Sequence, residues 1–187
     1  MSRFNSRLDT VIETDRLSLR VPRIEDFDLW AEFMGDAEAA RYIGGLQPPA
    51  ICWRGMAQMT GSWALVGFGM FSVIERASGQ WIGRVGPWMP HQWPGPEVGW
   101  GIVRSRWGRG YALEAATASM DFAVDVLGWA DIVHTIHPEN TLSQNLAKKL
   151  GSVNRGPGEM PPPYQDQPID VWGQSAEQWR ARRGRRA

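Results

Sequence analysis

Residues 97–112 read Glu97-Val-Gly-Trp-Gly-Ile-Val-Arg-Ser-Arg-Trp-Gly-Arg-Gly-Tyr-Ala112, and the order of signals in this stretch decides the fold. Val98, Trp100 and Ile102 alternate with Glu97, Gly99, Gly101 and Val103, the period of a strand with two distinct faces. Two glycines, Gly108 and Gly110, then permit a tight turn that brings backbone N–H groups close to a ligand. Over 112–127, Leu113, Ala116, Met120, Ala123 and Leu127 recur at helical spacing, Glu114, Asp121 and Asp125 face away, and Gly128 ends the pattern. The positive end of that helix favours an anion at the turn. Strand, glycine turn and helix start together predict a phosphate cradle, which alone would suit ATP, a dinucleotide or CoA.

Outward from this stretch, Leu17, Leu19 and Val21 alternate with Arg16, Ser18 and Arg20, a half-buried strand that Pro22 stops. Phe27, Leu29, Trp30 and Phe33 give helical spacing over 25–34, and a second helix is predicted over 51–65 after the Pro48-Pro49 break. Residues 68–75 and 80–85 read as strands joined by the Ala77-Ser78-Gly79 turn. Residues 131–137 read as a strand stopped by Pro138. A helix over 141–150 is closed by Gly151, with Thr141 and Gln144 as its capping box. Strands over 152–155 and 169–172 and a last helix over 175–183 complete a mixed α/β sheet in a single domain spanning 1–187.

A chain of 187 residues with 43% hydrophobic composition can bury one sizeable core. Its 20 basic and 20 acidic residues cancel, so no global field draws it to nucleic acid or a membrane surface, and neither is expected as a partner. Arg180, Arg182, Arg183, Arg185 and Arg186 crowd the C-terminus; residues 179–187 are expected to form a flexible basic tail, with docking to RNA or a ribosome as the alternative. Cys52 is the only cysteine, which excludes an intrachain disulfide and a Cys-rich metal site and predicts a buried structural thiol. The first residues lack the apolar run of a signal peptide, and no stretch approaches the roughly 18 apolar residues of a membrane span, so a cytoplasmic, reduced protein is expected. Trp88 and Trp93 flank His91 in the proline-rich stretch 87–96, a stiff aromatic loop that either shapes a substrate pocket or packs on the surface. His134 and His137 fall on opposite faces of one strand and cannot chelate one metal together, and no metal site is predicted.

Three segments in register resemble the GNAT superfamily of N-acetyltransferases, and more narrowly its RimJ/RimL-like branch. They are Glu13-Thr-Asp-Arg-Leu-Ser-Leu-Arg20, the 97–112 stretch, and Pro138-Glu-Asn-Thr-Leu-Ser143 through Lys149-Leu-Gly151. The resemblance implies an α/β (α+β) fold: a twisted, mixed, mostly antiparallel sheet flanked by helices and splayed at the acetyl-CoA site. It implies acetyl-CoA as cosubstrate, with the backbones of Ile102 and Val103 along the pantetheine arm. Gly108, Arg109, Gly110, Tyr111 and Ala112 would face the pyrophosphate, and Asn140 the pantetheine side. Arg109 and Lys148 would add charge near the phosphates. The sequence departs from the family pattern at Trp107, where Gln or Arg often opens the loop. It departs again at Ser152, where an aromatic often follows the glycine, and at Ala147, where many relatives carry a tyrosine proton donor.

Acetyl transfer to an amine requires the amine neutral, a donor for the leaving thiolate and N–H groups for the oxyanion. Glu97 is the candidate base, with a solvated carboxylate at a strand end as its alternative. Ser143 is the candidate acid, against a first-turn helix residue bonded to local backbone; Asn140 has the alternative of helix capping. Trp88, His91 and Trp93 are the candidate substrate-binding residues. The resulting expectation is an acetyl-CoA-dependent N-acetyltransferase acting on a primary amine, a protein N-terminus or a small molecule, through a ternary complex. A non-catalytic acyl-CoA-binding sensor of the same fold is the alternative. A homodimer is compatible with either. A dinucleotide oxidoreductase fails on layout, because the glycines do not form G-x-G-x-x-G and no early βαβ unit precedes them.

Overall fold

The computed structural model describes residues 7–184. Eight strands hydrogen-bond in the order β1-β2-β3-β4-β5-β6-β8-β7. They are β1 (Val11–Glu13), β2 (Leu17–Arg20), β3 (Phe71–Glu75), β4 (Gln80–Trp88), β5 (Glu97–Ile102), β6 (Asp131–Ile136), β7 (Val153–Gly158) and β8 (Ile169–Ser175). The helices are α1 (Phe27–Gly35), α2 (Ala37–Ala40), α3 (Pro49–Val66), α4 (Tyr111–Asp121), α5 (Thr141–Leu150) and α6 (Ala176–Gly184). Antiparallel pairing joins β1 to β2, β2 to β3, β3 to β4, β6 to β8 and β7 to β8, while β5 and β6 run parallel. This is the mixed, mostly antiparallel sheet that the resemblance implies. The chain groups into two compact units, Met1–Gly86 with Trp100–Ala118 and Pro87–Gly99 with Ser119–Ala187.

In the first unit, α1 turns Trp30, Phe33 and Met34 inward, where they pack with Ala40, Cys52, Met56 and Trp81. The Trp30 and Phe33 rings lie 5.7 and 5.8 Å from Trp81. Pro49 opens α3 at a position where its missing N–H costs no helical bond, and Gly67, at φ 80°, closes it. A buried polar network ties the sheet to the start of α1. Arg20 grips Asp26 through both terminal nitrogens at 2.7 and 2.8 Å, Ser72 donates to Asp26 at 2.6 Å, and Trp81 donates to Ser72 at 3.1 Å.

In the second unit, β6 and β8 pair over six residues, and β7 joins β8 with a register shift between Asn154 and Pro157. Among the described residues, pairing of β5 with β6 is confined to Glu97↔Val133, reinforced by the Val133 N–H donating to Pro96 O at 2.9 Å. A fully buried relay crosses these strands. Gln174 donates to Ser152 Oγ at 2.9 Å, Ser152 Oγ lies 2.9 Å from His134 Nε2, and His134 Nδ1 lies 2.7 Å from Val98 O. A carbonyl only accepts, so Nδ1 carries the proton and Nε2 accepts from the serine. Ser152, the residue that replaces the family's aromatic, is thus a hydrogen-bonding hub.

Several expectations are corrected. Trp88 ends β4 and is buried, outside the proposed loop; proline at 87 did not stop the strand, because a proline is tolerated where no ladder N–H is required. Beyond α4, residues Phe122–Val126 form a π-helical turn, and the extra residue brings Phe122, Ala123 and Val124 inward in succession, so the regular stripe ends at Met120. The basic tail is not free through Gly184. Residues Ala176–Gly184 are helical, Trp179 is 1% exposed and donates to Asp121 at 2.8 Å, and Arg183 reaches Asp121 and Asp125 at 2.5 and 2.7 Å. Arg185 and Arg186 lie outside the described residues. β1 and α2, only three and four residues long, are too short to show a period.

Burial holds His134 neutral, moving its pKa from 6.5 to about 4. The unfolded chain binds this proton first, so stability falls as pH drops from 6.5 to about 4, by about 3 kcal/mol in all. Urea unfolding at pH 7 and pH 4.5 checks this. In His134→Gln, whose amide keeps one donor and one acceptor, the slope across this window should shrink sharply.

Candidate active site

The loop after β5 is built in the first unit. A 3-10 turn over Arg104–Arg106 leads to Trp107, whose Nε1 donates to Ile102 O at 2.6 Å. Gly108 and Gly110 follow at φ 73° and 82°, in the left-handed region that glycine enters without penalty, and α4 starts at Tyr111. A Cβ on Gly108 would meet open space, while one on Gly110 would lie 3.4 Å from Arg16 Nη2. Both glycines are therefore demanded by backbone conformation more than by room. The first-turn N–H groups of α4 have no intrahelical acceptor and form the anion-favouring end of the helix.

Two carboxylates brace this loop. Glu75, at the end of β3, accepts from Tyr111 Oη at 2.6 Å, Ser78 Oγ at 2.7 Å and Arg106 Nη2 at 3.0 Å. The Ser78 hydroxyl first, then Tyr111 and Arg106, hold its carboxyl down to about 2, and the same contact raises the Tyr111 phenol above its ordinary value. Glu114 accepts from Thr14 Oγ1, Arg16 N and Arg16 Nε at 2.6–2.8 Å. Arg16 also donates to Arg109 O at 2.9 Å and lies 4.4 Å over the Tyr111 ring. Glu75, Arg16 and Glu114 were not singled out in the sequence. Apart from Ser78, three residues from Glu75, their partners lie 31–100 residues away, and only the presence of Arg16 in the first resembling segment hinted at it.

The strand edge is more occupied than expected. Val103 N donates to Ile82 O and Val103 O accepts from Arg106 N, both at 2.9 Å, while Ile102 O accepts from Trp107. A ligand pairing at these carbonyls would use their second lone pairs. The Arg109 side chain is exposed.

In the second unit, Asn140 caps α5: its Oδ1 accepts from Ser143 N at 3.1 Å. The capping box assigned to Thr141 and Gln144 is therefore corrected by one residue at the cap, and Gln144 instead donates to Pro138 O at 2.7 Å. Ser143 sits half-buried in the first turn, and Ala147 is fully buried. Glu97 is not a solvated carboxylate. It is 6% exposed, accepts from Thr135 N at 3.2 Å and from Thr135 Oγ1 at 3.0 Å, and receives the indole N–H of Trp93. His91 is exposed, and His137 Nδ1 accepts from Glu139 N at 3.1 Å. No cluster of three or more metal-ligating side chains occurs among the described residues.

The acetyltransferase (GNAT) domain family matches residues 16–153. The chain belongs to the GNAT acetyltransferase family. It is 32% identical over 146 residues to the uncharacterized N-acetyltransferase p20 of Bacillus licheniformis, covering 76% of this chain and 82% of that one. The crystal structure of an acetyltransferase from Agrobacterium tumefaciens superposes with a TM-score of 0.77 at 26% identity, covering 88% of this chain and 94% of that one. A ribosomal-protein alanine acetyltransferase from Vibrio fischeri shares the fold, with a TM-score of 0.72 at 16% identity over 91% of this chain and 99% of that one. Family membership makes the protein an N-acetyltransferase that transfers an acetyl group to an amine, and acetyl-CoA is the donor that GNAT enzymes use. No helix among the described residues is long and apolar enough to cross a membrane.

Gly110→Val should abolish the thermal shift that CoA produces, because a β-branched residue at φ 82° must rebuild the turn. Glu75→Gln, which keeps the shape but removes the charge facing Arg106, should weaken CoA binding about 10-fold, measured by calorimetry.

Proposed function

We propose that this chain moves the acetyl group of acetyl-CoA to a primary amine, a protein N-terminus or a small-molecule amine, by direct attack in a ternary complex. The observation that carries the reading is the braced turn at 107–112, two left-handed glycines opening α4, in a chain of this family. Gly108, Arg109, Gly110, Tyr111 and Ala112 would hold the pyrophosphate through backbone N–H groups, with the Arg109 side chain adding charge. Asn140, Ile102 and Val103 would contact the pantetheine arm. The shared fold with the Vibrio fischeri enzyme supports a relationship to the RimJ/RimL-like branch, and with it a peptide N-terminus among the acceptors.

In this reading Glu97 takes the proton that the amine must lose, directly or through one water. The neutral nitrogen attacks the thioester carbon, the oxyanion is met by backbone N–H groups, and the carbon–sulfur bond breaks. Ser143 delivers a proton to the departing thiolate, since buried Ala147 offers no hydroxyl, and recovers one from the attacking nitrogen, which sheds its second proton as the amide forms. Trp88, His91 and Trp93 would lie on the acceptor side. No covalent enzyme intermediate is required.

Thiol release from acetyl-CoA, followed against a panel of N-terminal peptides and small amines, tests the proposal. Release with at least one acceptor is expected. CoA binding without release for any acceptor would favour the sensor alternative. Glu97→Gln should lower kcat about 100-fold while leaving acetyl-CoA affinity unchanged.

A further inference from the structure

Four features of the second unit converge on the Glu97 carboxylate. Gln92 holds φ 64°, the one non-glycine residue with positive φ among the described residues. Such a conformation costs free energy and persists only where its surroundings enforce it. The turn it sits in is closed by Trp93 N donating to Pro90 O at 3.1 Å. Gly95 then passes so close to β6 that an added Cβ would meet Val133 Cγ2 at 3.1 Å. The turn so formed directs the Trp93 indole N–H onto Glu97 Oε2, and the Tyr164 ring stands edge-on to that indole at 6.4 Å. From the facing strand, Thr135 holds the same carboxylate through N–H and hydroxyl.

We infer that Trp93 and Thr135 are positioning residues that fix the Glu97 carboxylate in one orientation relative to the acceptor amine. This rests on the reading of Glu97 as the base. The strained turn at 90–96 then has a task that surface packing does not supply: it sets the direction of one N–H bond. A carboxylate with two free rotamers would meet the amine only part of the time, and alignment is what an enzyme contributes at such a step. Trp93 thereby acts through Glu97.

Trp93→Phe keeps a ring against Tyr164 and removes only the N–H. It should lower kcat about 10-fold, leave KM for acetyl-CoA unchanged, and move the acidic limb of the kcat/KM profile to higher pH, because the carboxylate loses a donor that favours its charged form. Thr135→Val should act in the same direction, and Thr135→Ser should restore activity by returning the hydroxyl. If Glu97→Gln is impaired while Trp93→Phe and Thr135→Val keep the wild-type kcat and pH profile, the positioning role is overturned and the base stands. If Glu97→Gln turns over like wild type, both fall together.

Discussion

The glycine turn after β5 depends on one buried carboxylate. Glu75 stands at the end of β3 and binds Arg106 on one side of the glycine turn and Tyr111 on the other. The turn is thus closed on a single anchor at both ends, and the positive φ values of Gly108 and Gly110 become the geometry that connects them. An isolated buried charge would be costly, but three donors on Glu75 offset its desolvation. Removing any of them would leave part of that charge uncompensated. Arg16 adds a second constraint by gripping the Arg109 carbonyl while paired to Glu114. The N–H groups at the start of α4 are therefore ordered before any ligand arrives, which lowers the entropy lost on binding.

The second unit solves the same problem without charge. Gln174, Ser152 and His134 form a chain in which each member donates to the next and Val98 O receives the last bond. Its direction is forced, because reversing one member would set two donors or two acceptors against each other. Such a network fixes how β5, β6, β8 and the residue after Gly151 meet, a specificity that apolar packing alone would not give. Asp26 plays the corresponding part in the first unit, with a charge matched by Arg20.

What could be read in the sequence was what neighbours in the chain determine. The strand expected over 97–103, the glycine turn and the helix expected from Ala112 follow from period and from backbone preferences within 16 residues, and they appear with the strand ending and the helix starting one residue earlier. The ends of α5 and its closing Gly151 are equally local, although the cap was displaced from Thr141 to Asn140 because two side chains in succession could serve. What could not be read depends on contacts far along the chain. Nothing near Glu75 marks it as an anchor, nothing near Trp179 shows that Asp121 will receive its indole, and nothing in the 112–127 pattern signals a π turn. The basic C-terminus looked solvated because charge dominates its composition, yet one buried tryptophan and two aspartates order it through Gly184.

The same division separates the two halves of the chemistry. Holding a pyrophosphate needs backbone N–H groups in a fixed turn, a task that two glycines and a helix start specify locally whatever the surrounding side chains. Setting a proton acceptor beside an amine needs side chains aimed at one point, and under the proposed reading those would come from residues 93, 97 and 135 on separate elements. Under that reading a single change at any of them would alter the acceptor side and leave the glycine turn intact. Donor recognition therefore carries a sequence signature, while acceptor recognition is written in tertiary contacts. A family can keep the first and vary the second, so the strained turn before Trp93 says more about this enzyme in particular than the glycines do.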